Sequence, residues 1–171
     1  MDPKTGDILA MACYPDYDLN TPYTPNATLA KTYNSLSTEE KGEALYKMWS
    51  NKSVSETYEP GSTFKIITSS IGLEENLVQP NTENDFHCNR VFHVGDRDIY
   101  CWAKTAHGDQ TLTQALQNSC NPAFMQLGQR IGKQRFYKYL QAFGFFDKTG
   151  VRMSGESNSI FYNIENWYRE F

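Results

Sequence analysis

The sequence predicts a domain of the α+β class, in which a few strands and a hairpin accompany a larger set of helices. The first observation is the order of patterns, which runs strand, helices, hairpin and helices instead of a repeated βαβ unit. The second is that 171 residues suffice for one hydrophobic core, so we expect a single domain over residues 1–171. The third is that no internal repeat or low-complexity tract interrupts the chain.

The first fifty residues predict a turn, a strand, a loop and a helix. "MDPKTGDILAMACYP" is typical of a turn at Pro3 to Gly6 followed by an apolar strand from Ile8 to Cys13. Residues 14–36 are rich in Pro, Asn, Thr and Tyr, which predicts an irregular loop. Residues 38–49 predict a helix, because acidic residues occupy the first turn and apolar residues follow at helical spacing.

The remaining patterns predict a buried helix, a hairpin and a helical region. Pro60 and Gly61 break the chain before a helix that begins near Ser62, and its many apolar residues indicate burial on more than one side. The segment "HCNRVFHVGDRDIYCW" alternates around Gly95-Asp96 as a hairpin does. From Thr111 the pattern is helical, with a break at Asn121-Pro122 and a C-cap at Gly144.

Composition excludes several functional classes. A net charge of -4 and a pI near 5.4 provide no basic surface for nucleic acid or anionic lipid, so no nucleic-acid partner is expected. The mean hydropathy is -0.62, and the chain has neither a run of 18 apolar residues nor a signal-peptide pattern. Four cysteines are too few for a scaffold built on disulfides.

Ser62 and Lys65 form an S-x-x-K pattern that suits nucleophilic catalysis. On a helix that begins at Ser62, the two side chains lie one turn apart on the same face. A serine hydroxyl needs a base to take its proton, and a desolvated lysine with a lowered pKa can be that base. One such pattern is expected by chance in a chain of this length, so the flanking Pro-Gly and the apolar helix carry the prediction.

Ser119-Cys120-Asn121 forms a second candidate group. In an extended or turn segment, Ser119 and Asn121 face one way and Cys120 the other. The hydroxyl can relay a proton near the nucleophile, and the carboxamide can bind a substrate amide. The alternative is a plain Asn-Pro helix cap.

Cys88, Cys101, His107 and Cys120 are candidate metal ligands. Three thiolates and an imidazole can close a tetrahedral zinc site, although the spacing lacks a close C-x2-C pair. A disulfide, either Cys88–Cys101 or Cys101–Cys120, and buried free thiols remain open as alternatives. His87 is an alternative ligand to His107.

The triplet Lys-Thr-Gly, a signature of serine enzymes that react with penicillin, occurs twice. Lys4-Thr5-Gly6 lies in the predicted hairpin turn. Lys148-Thr149-Gly150 precedes "VRMSGE", which has too many glycines for a good strand. We therefore expect both copies to lie in turns or loops.

Together, "YEPGSTFK" and "SCN" 57 residues later resemble the transpeptidase domain of class B penicillin-binding proteins. "DPKTGDILAMACYPDYDLN" resembles the opening hairpin of that domain, and "HGDQTLTQALQNSCNPAF" its second motif. Within class B, Cys101-Trp102, His107-Gly108 and "NSCNPAF" are most similar to sporulation-type and elongation-type members of Gram-positive bacteria. The resemblance implies the penicillin-binding transpeptidase and serine β-lactamase fold.

The resemblance also implies roles for the candidate residues. Ser62 would attack a D-Ala-D-Ala terminus of a peptidoglycan stem peptide, Lys65 would accept its proton, Ser119 would relay it and Asn121 would orient the substrate. β-Lactams would acylate the same serine, and other cell-wall synthesis proteins are possible partners. No cofactor is required for this chemistry, but some class B relatives carry a zinc in the region of the four candidate ligands.

By the same resemblance, the chain is expected to be a partial domain. The catalytic Lys-Thr-Gly would come later, on an edge strand, so this segment alone is expected to turn over essentially no substrate. An N-terminal segment outside the chain would anchor the protein at the extracytoplasmic face of the bacterial membrane. The alternative functions are a β-lactam-sensing receptor domain and a serine D,D-carboxypeptidase or β-lactamase.

Overall fold

A group of helices, four short strands and a second group of helices follow one another along the chain in this computed structural model, which describes residues 1–161 and 163–165. In these residues the helices are α1 (Ala30–Tyr33), α2 (Thr38–Trp49), α3 (Lys52–Ser55), α4 (Lys65–Glu74), α5 (Leu112–Gln117), α6 (Asn121–Ile131) and α7 (Lys133–Ala142). The strands are β1 (Phe86–Cys88), β2 (Val91–Val94), β3 (Arg97–Tyr100) and β4 (Gly108–Gln110). This mixture of helix and strand is what the α+β prediction requires.

The chain divides into two units. The first comprises Met1–Thr57 and Lys148–Asn158, and the second comprises Tyr58–Asp147 and Ser159–Phe171. The predicted extent of one domain over residues 1–171 stays a prediction. No helix in the described part of the chain is both long and apolar enough to cross a membrane.

The first unit is organised around α2. Ser37 begins the helix with a capping box, because its side chain accepts from the Glu40 amide while the Glu40 carboxylate accepts from the Ser37 amide. At the other end of α2, the indole N–H of Trp49 donates to the Pro22 carbonyl over 2.7 Å. This bond ties the predicted loop to the helix, whose bounds match the predicted residues 38–49.

The predicted strand from Ile8 to Cys13 is wrong for the described residues. The expected turn is present, since the Gly6 amide donates to the Asp2 carbonyl over 2.9 Å. Residues 8–13, however, form no ladder with another strand in the part of the chain that the structure describes. An apolar, alternating segment becomes a strand only when a neighbouring strand satisfies its backbone groups.

The second unit is built on the packing of α4 against α6. Gly72 of α4 lies where a Cβ atom would come within 2.8 Å of the Leu127 side chain, which shows how closely the two helices approach. Their inner faces join the strands and α5 in one core, which contains Ile71, Val78, Phe86, Cys88, Cys101, Leu112, Ala115, Cys120, Ala123, Phe124, Leu127 and Ile131.

α4 is buried on more than one side, as expected, because it contacts α5, α6 and α7. Ile71 is fully buried, whereas Ile66 is 60% exposed and Leu73 is 37% exposed. The face that carries Ile66 and Leu73 is therefore left in solvent.

Two short antiparallel ladders complete the second unit. β2 and β3 form the predicted hairpin around Gly95-Asp96, with Val94 opposite Arg97. β1 pairs with β4, and Cys88 lies opposite Gly108. The two ladders bring the ends of β1, β3 and β4 next to the beginning of α6, where the candidate functional residues meet.

Candidate active site and cysteine cluster

Ser62 and Lys65 lie where the chain enters α4. A short 3-10 turn, Gly61–Phe64, follows Pro60 and leads directly into α4. The Lys65 amide donates to the carbonyls of Ser62 and Thr63, which keeps the two regions continuous. The predicted helix start near Ser62 is therefore a 3-10 turn, and Ser62 and Lys65 still lie on the same side of it.

The amine of Lys65 brings the four predicted catalytic residues together. Its Nζ lies 3.2 Å from Ser62 Oγ, 2.9 Å from Ser119 Oγ and 2.8 Å from Asn121 Oδ1. It also donates to the Ser119 carbonyl over 2.8 Å. The hydroxyl of Ser119 lies 2.9 Å from that of Ser62, so both hydroxyls and the amine form one hydrogen-bonded cluster.

Burial prepares Lys65 for proton transfer. The residue is only 8% exposed, and desolvation lowers the pKa of its amine below the ordinary value of 10.5. Negative charge at Cys120 and Cys101 acts in the opposite direction. The net effect makes the neutral amine, which can accept a proton, more accessible than it is for an exposed lysine.

Ser119 holds an unusual backbone conformation at the end of α5. Its φ is +47°, in the left-handed region that favours glycine. The Ser119 amide donates to the Leu116 carbonyl over 3.0 Å, and the Cys120 amide donates to the Ala115 carbonyl over 2.9 Å. These two bonds define a Schellman motif with serine at the position that glycine usually takes.

Two other helices of the same unit end in the same way, but with different residues at the left-handed position. The position is Asn76 after α4 and Gly144 after α7, both of which tolerate positive φ. Gly144 confirms the predicted C-cap region. Because serine tolerates this conformation less well, its presence after α5 points to a role for the side chain.

Asn121 is fixed by contacts on both ends of its carboxamide. Oδ1 accepts from Lys65, and Nδ2 donates to the Tyr100 carbonyl at the end of β3 over 3.1 Å. Pro122 in the first turn of α6 is fully buried and needs no amide donor there. The contact with Tyr100 was not predicted, because a backbone carbonyl leaves no signal in residue type.

A cavity of about 830 Å³ opens beside the nucleophile candidate. Ser62, Lys65 and Asn121 line it together with apolar side chains from the 3-10 turn, α6 and α7, among them Phe64, Phe124 and Phe136. A cavity of this size accommodates a small-molecule or peptide group next to the hydroxyl cluster.

Next to Ser119 and Asn121, which flank Cys120 in the sequence, the structure brings together all four predicted metal ligands. The ligand atoms of Cys88, Cys101, His107 and Cys120 lie within 4.8 Å of one another, and the three cysteines are buried. Nδ1 of His107 lies 3.5 Å from Cys101 Sγ and 3.8 Å from Cys88 Sγ. Cys120 therefore faces away from Lys65, as the alternation in Ser-Cys-Asn predicts.

The donor set fits zinc. Tetrahedral zinc with thiolate and imidazole ligands has neighbouring ligand atoms about 3.5 to 3.8 Å apart, close to the two distances at His107. Burial acts to raise the pKa of Cys88, but hydrogen bonds from the amides of His107 and Arg90 outweigh it and lower that pKa. Burial raises the pKa of Cys120 to about 11. All four cysteines of the chain are free thiols in the structure.

His87 lies outside the cluster. It sits between Phe86 and Cys88, which both point into the core, so strand alternation turns the imidazole outward. There its Nδ1 lies 2.6 Å from Asp109 Oδ1. The structure thus brings His107, and not His87, to the cysteines.

Neither copy of Lys-Thr-Gly lies in a strand. Lys4 and Thr5 belong to the N-terminal turn. In the second copy, the Thr149 amide and hydroxyl both donate to the Glu156 carboxylate over 2.7 Å, which closes an irregular loop. The prediction of a turn and a loop is confirmed.

Comparison with known proteins identifies the family. A family model described as the penicillin binding protein transpeptidase domain matches residues 1–171. The chain is 39% identical over 166 residues to stage V sporulation protein D of Bacillus subtilis, covering 96% of this chain and 23% of that protein. It is 32% identical to the peptidoglycan D,D-transpeptidase MrdA of Acinetobacter baumannii, covering 96% and 24%. The chain thus spans about a quarter of the length of these curated relatives.

Solved structures agree with the sequence comparison. The D,D-transpeptidase domain of a peptidoglycan glycosyltransferase from Eggerthella lenta matches with a TM-score of 0.78 and 27% identity, covering 99% of this chain and 37% of that one. The predicted fold and the predicted resemblance to class B are confirmed. The chain belongs to the penicillin-binding protein transpeptidase family.

Proposed function

We propose that the protein carrying this chain is a peptidoglycan D,D-transpeptidase that cross-links stem peptides through an acyl-enzyme on Ser62. The observation that supports this most is the position of the Lys65 amine, within 3.2 Å of the hydroxyls of Ser62 and Ser119 and of the Asn121 carboxamide. A buried amine in this place can take the proton that makes Ser62 a nucleophile.

The proposed reaction has two halves. In the first, Ser62 Oγ bonds to the carbonyl carbon of the penultimate D-Ala while its proton passes to neutral Lys65. Ser119, in contact with both groups, returns a proton to the leaving amine of the terminal D-Ala. In the second half, the amine of a neighbouring stem attacks the ester and its proton returns along the same path to Ser62.

The remaining groups of the cluster bind and orient the donor peptide. Asn121 presents its carboxamide toward the nucleophile from a position fixed by Tyr100 and Lys65. The cavity beside Ser62 receives the chain of the stem peptide, and β-lactams acylate the same hydroxyl. The proposed location is the extracytoplasmic face of the bacterial membrane, together with other cell-wall synthesis proteins.

Incubation of the full-length gene product with a pentapeptide ending in D-Ala-D-Ala and an acceptor amine tests this function. We expect release of D-Ala with formation of the new amide, and loss of both in Ser62→Ala. Release of D-Ala without the amide would indicate a carboxypeptidase, and rapid hydrolysis of a β-lactam would indicate a β-lactamase. A long-lived β-lactam adduct without peptide turnover would indicate a receptor.

The isolated segment 1–171 is proposed to be nearly inactive. Neither of its Lys-Thr-Gly copies lies on a strand, so neither supplies the substrate and oxyanion contacts that the family's third motif provides. Loss of one oxyanion donor typically costs on the order of 10²- to 10³-fold in rate. Acylation by a fluorescent penicillin as fast as in the full-length gene product would contradict this.

Cys88, Cys101, His107 and Cys120 are proposed to hold a structural zinc. Zinc bound there connects the ends of β1 and β3, the segment before β4, and the second motif, and it has no part in the chemical steps. Metal analysis and thiol counting test the proposal. We expect about one zinc per chain and one readily titrated thiol, Cys13. Four titratable thiols without metal would exclude both zinc and a disulfide, and two without metal would indicate a disulfide.

A further inference from the structure

The backbone of Ser119 needs support that its own motif does not provide. A non-glycine residue in the left-handed region is strained, and such conformations persist only where the surroundings hold them. The orientation of the peptide group between Asn118 and Ser119 sets the φ of Ser119. The groups that bind this peptide group and the Asn118 side chain therefore control where the Ser119 hydroxyl lies.

Asn118 is held from two directions. Its carbonyl, which belongs to the peptide group preceding Ser119, accepts from the indole N–H of Trp102 over 2.9 Å. Its side-chain amide donates to Oε1 of Gln110 over 2.9 Å. Trp102 is 69% exposed and makes its contact at the surface, whereas Gln110 is 2% exposed and makes its contact in the core.

Gln110 is suited to hold this turn rigidly. It ends β4, where its backbone pairs opposite Phe86, so its position is fixed by the ladder. Its second polar atom, Nε2, is buried without a hydrogen-bond partner among the described residues. An unsatisfied buried amide lowers the stability of the fold. A core position that needed only volume would be filled at lower cost by methionine or leucine.

We propose that Gln110 is a positioning residue for the second motif: from the core, its Oε1 holds the Asn118 side chain, so that the Ser119 hydroxyl stays at Lys65. The inference rests on the proposed function, in which Ser119 carries a proton between Ser62 and the leaving group. Gln110 does not contact Ser62, the leaving group or the Ser119 hydroxyl, and it acts only through the turn that contains Asn118 and Ser119.

Acylation of the full-length gene product by a fluorescent penicillin tests the proposal, with the rate constant at saturation and the half-saturating concentration measured separately. Gln110→Met keeps the shape of the side chain and removes both polar ends. We expect the rate constant to fall by about 10- to 100-fold, the range of losses caused by small misplacements of a reacting group. The half-saturating concentration should change by less than about threefold, because the cavity is untouched.

Gln126 provides a matched control. It also bridges two elements, since its Nε2 donates to the His87 carbonyl and its Oε1 accepts from the His87 amide, but it does not touch Asn118. Gln126→Met should lower the free energy of unfolding without a comparable loss of the acylation rate constant. The proposal would be overturned if, at the same folded fraction, the acylation rate constant fell no further in Gln110→Met than in Gln126→Met.

Asn118→Ala covers the case in which Gln110→Met does not fold, because it breaks the same bond from a half-buried position. We again expect a lower acylation rate constant and an unchanged half-saturating concentration of the penicillin. If Asn118→Ala were acylated with the same rate constant as the unmodified protein, the proposal for Gln110 would be overturned while the proposed function would stand. Absence of acylation in the unmodified protein would overturn the proposed function, and this inference with it.

Discussion

Ser119 combines a hydroxyl that contacts Lys65 and Ser62 with an unfavourable backbone conformation, and the two features can be separated by mutation. Ser119→Ala removes the hydroxyl and keeps the Cβ atom in the left-handed region, whereas Ser119→Gly removes both. We expect Ser119→Gly to be about 1 kcal/mol more stable than Ser119→Ala, after the greater chain entropy of glycine in the unfolded state is included. Both variants should lose acylation. Urea unfolding of the full-length gene product measures the difference.

The control for this prediction is Gly144, which occupies the equivalent position after α7. Gly144→Ala should lower the free energy of unfolding by a similar amount, about 1 kcal/mol. Equal stability of the two Ser119 variants, alongside a clear loss in Gly144→Ala, would show that the backbone at Ser119 is not strained.

The lowered pKa of Lys65 predicts how the acylation rate depends on pH. The neutral amine is the reactive form, so the rate should rise with pH through the pKa of Lys65 and reach a plateau above it. Because burial lowers that pKa, the midpoint of the rise should lie below 10.5. Lys65→Arg keeps the positive charge and cannot lose it at these pH values, so it should be slow without this rise. A midpoint at or above 10.5 would contradict the role of burial.

Spacing predicted that Ser62 and Lys65 meet, and the family resemblance implied that Ser119 and Asn121 join them, but neither indicated what holds these side chains. S-x-x-K predicts two groups on one side of a helix, because helical geometry relates residues three apart. The bond from Asn121 to the Tyr100 carbonyl and the left-handed φ of Ser119 depend on backbone geometry, which a single sequence does not encode in residue type. Gln110 was missed for a related reason, since an isolated glutamine resembles any surface residue.

At the scale of elements, the packing of α4 on α6 depends on Gly72. A Cβ atom there would lie 2.8 Å from Leu127 Cδ1 and 3.2 Å from Val78 Cγ2. Leu127 is fully buried, so it can yield to this Cβ atom only by moving within a packed core. Gly72→Ala should therefore cost about 1 to 3 kcal/mol by overpacking, which exceeds what alanine gains in helix propensity.

Gly42 in α2 is the matched control for Gly72→Ala. Its Cβ position is open, with no atom within 4 Å, and it is also inside a helix. Gly42→Ala should raise the free energy of unfolding by up to about 1 kcal/mol. Denaturant unfolding of both variants gives the comparison, and a stable Gly72→Ala variant would show that the two helices can move apart at no cost.

Local signals predicted the elements that satisfy their own backbone groups. α2 begins at a capping box, and the β2–β3 hairpin closes over two residues, so both could be located from the sequence. Residues 8–13 were predicted as a strand from alternation alone, yet a strand depends on a partner that may be distant in sequence. Apolar composition predicted that α4 is buried on more than one side, but it does not show which face stays in solvent.

At the scale of the whole molecule, the cysteine cluster and the hydroxyl cluster share one segment, residues 119–121. Cys120 points to one cluster, and Ser119 and Asn121 point to the other. Because the two clusters share this segment, the proposed zinc and the proposed acyl-transfer site can depend on each other without any zinc chemistry in the reaction. Composition led us to expect no nucleic-acid or anionic-lipid partner, but it could not reveal this arrangement.

The most direct measurement of the central claim is the identity of the residue that a penicillin acylates. The full-length gene product is treated with a fluorescent penicillin, digested, and the labelled peptide is sequenced by mass spectrometry. We expect a single adduct on Ser62, no label in Ser62→Ala, and labelling about 10²- to 10⁴-fold slower in Lys65→Ala, because the base is lost. An adduct on another residue, or unchanged labelling of Ser62→Ala, would contradict the account.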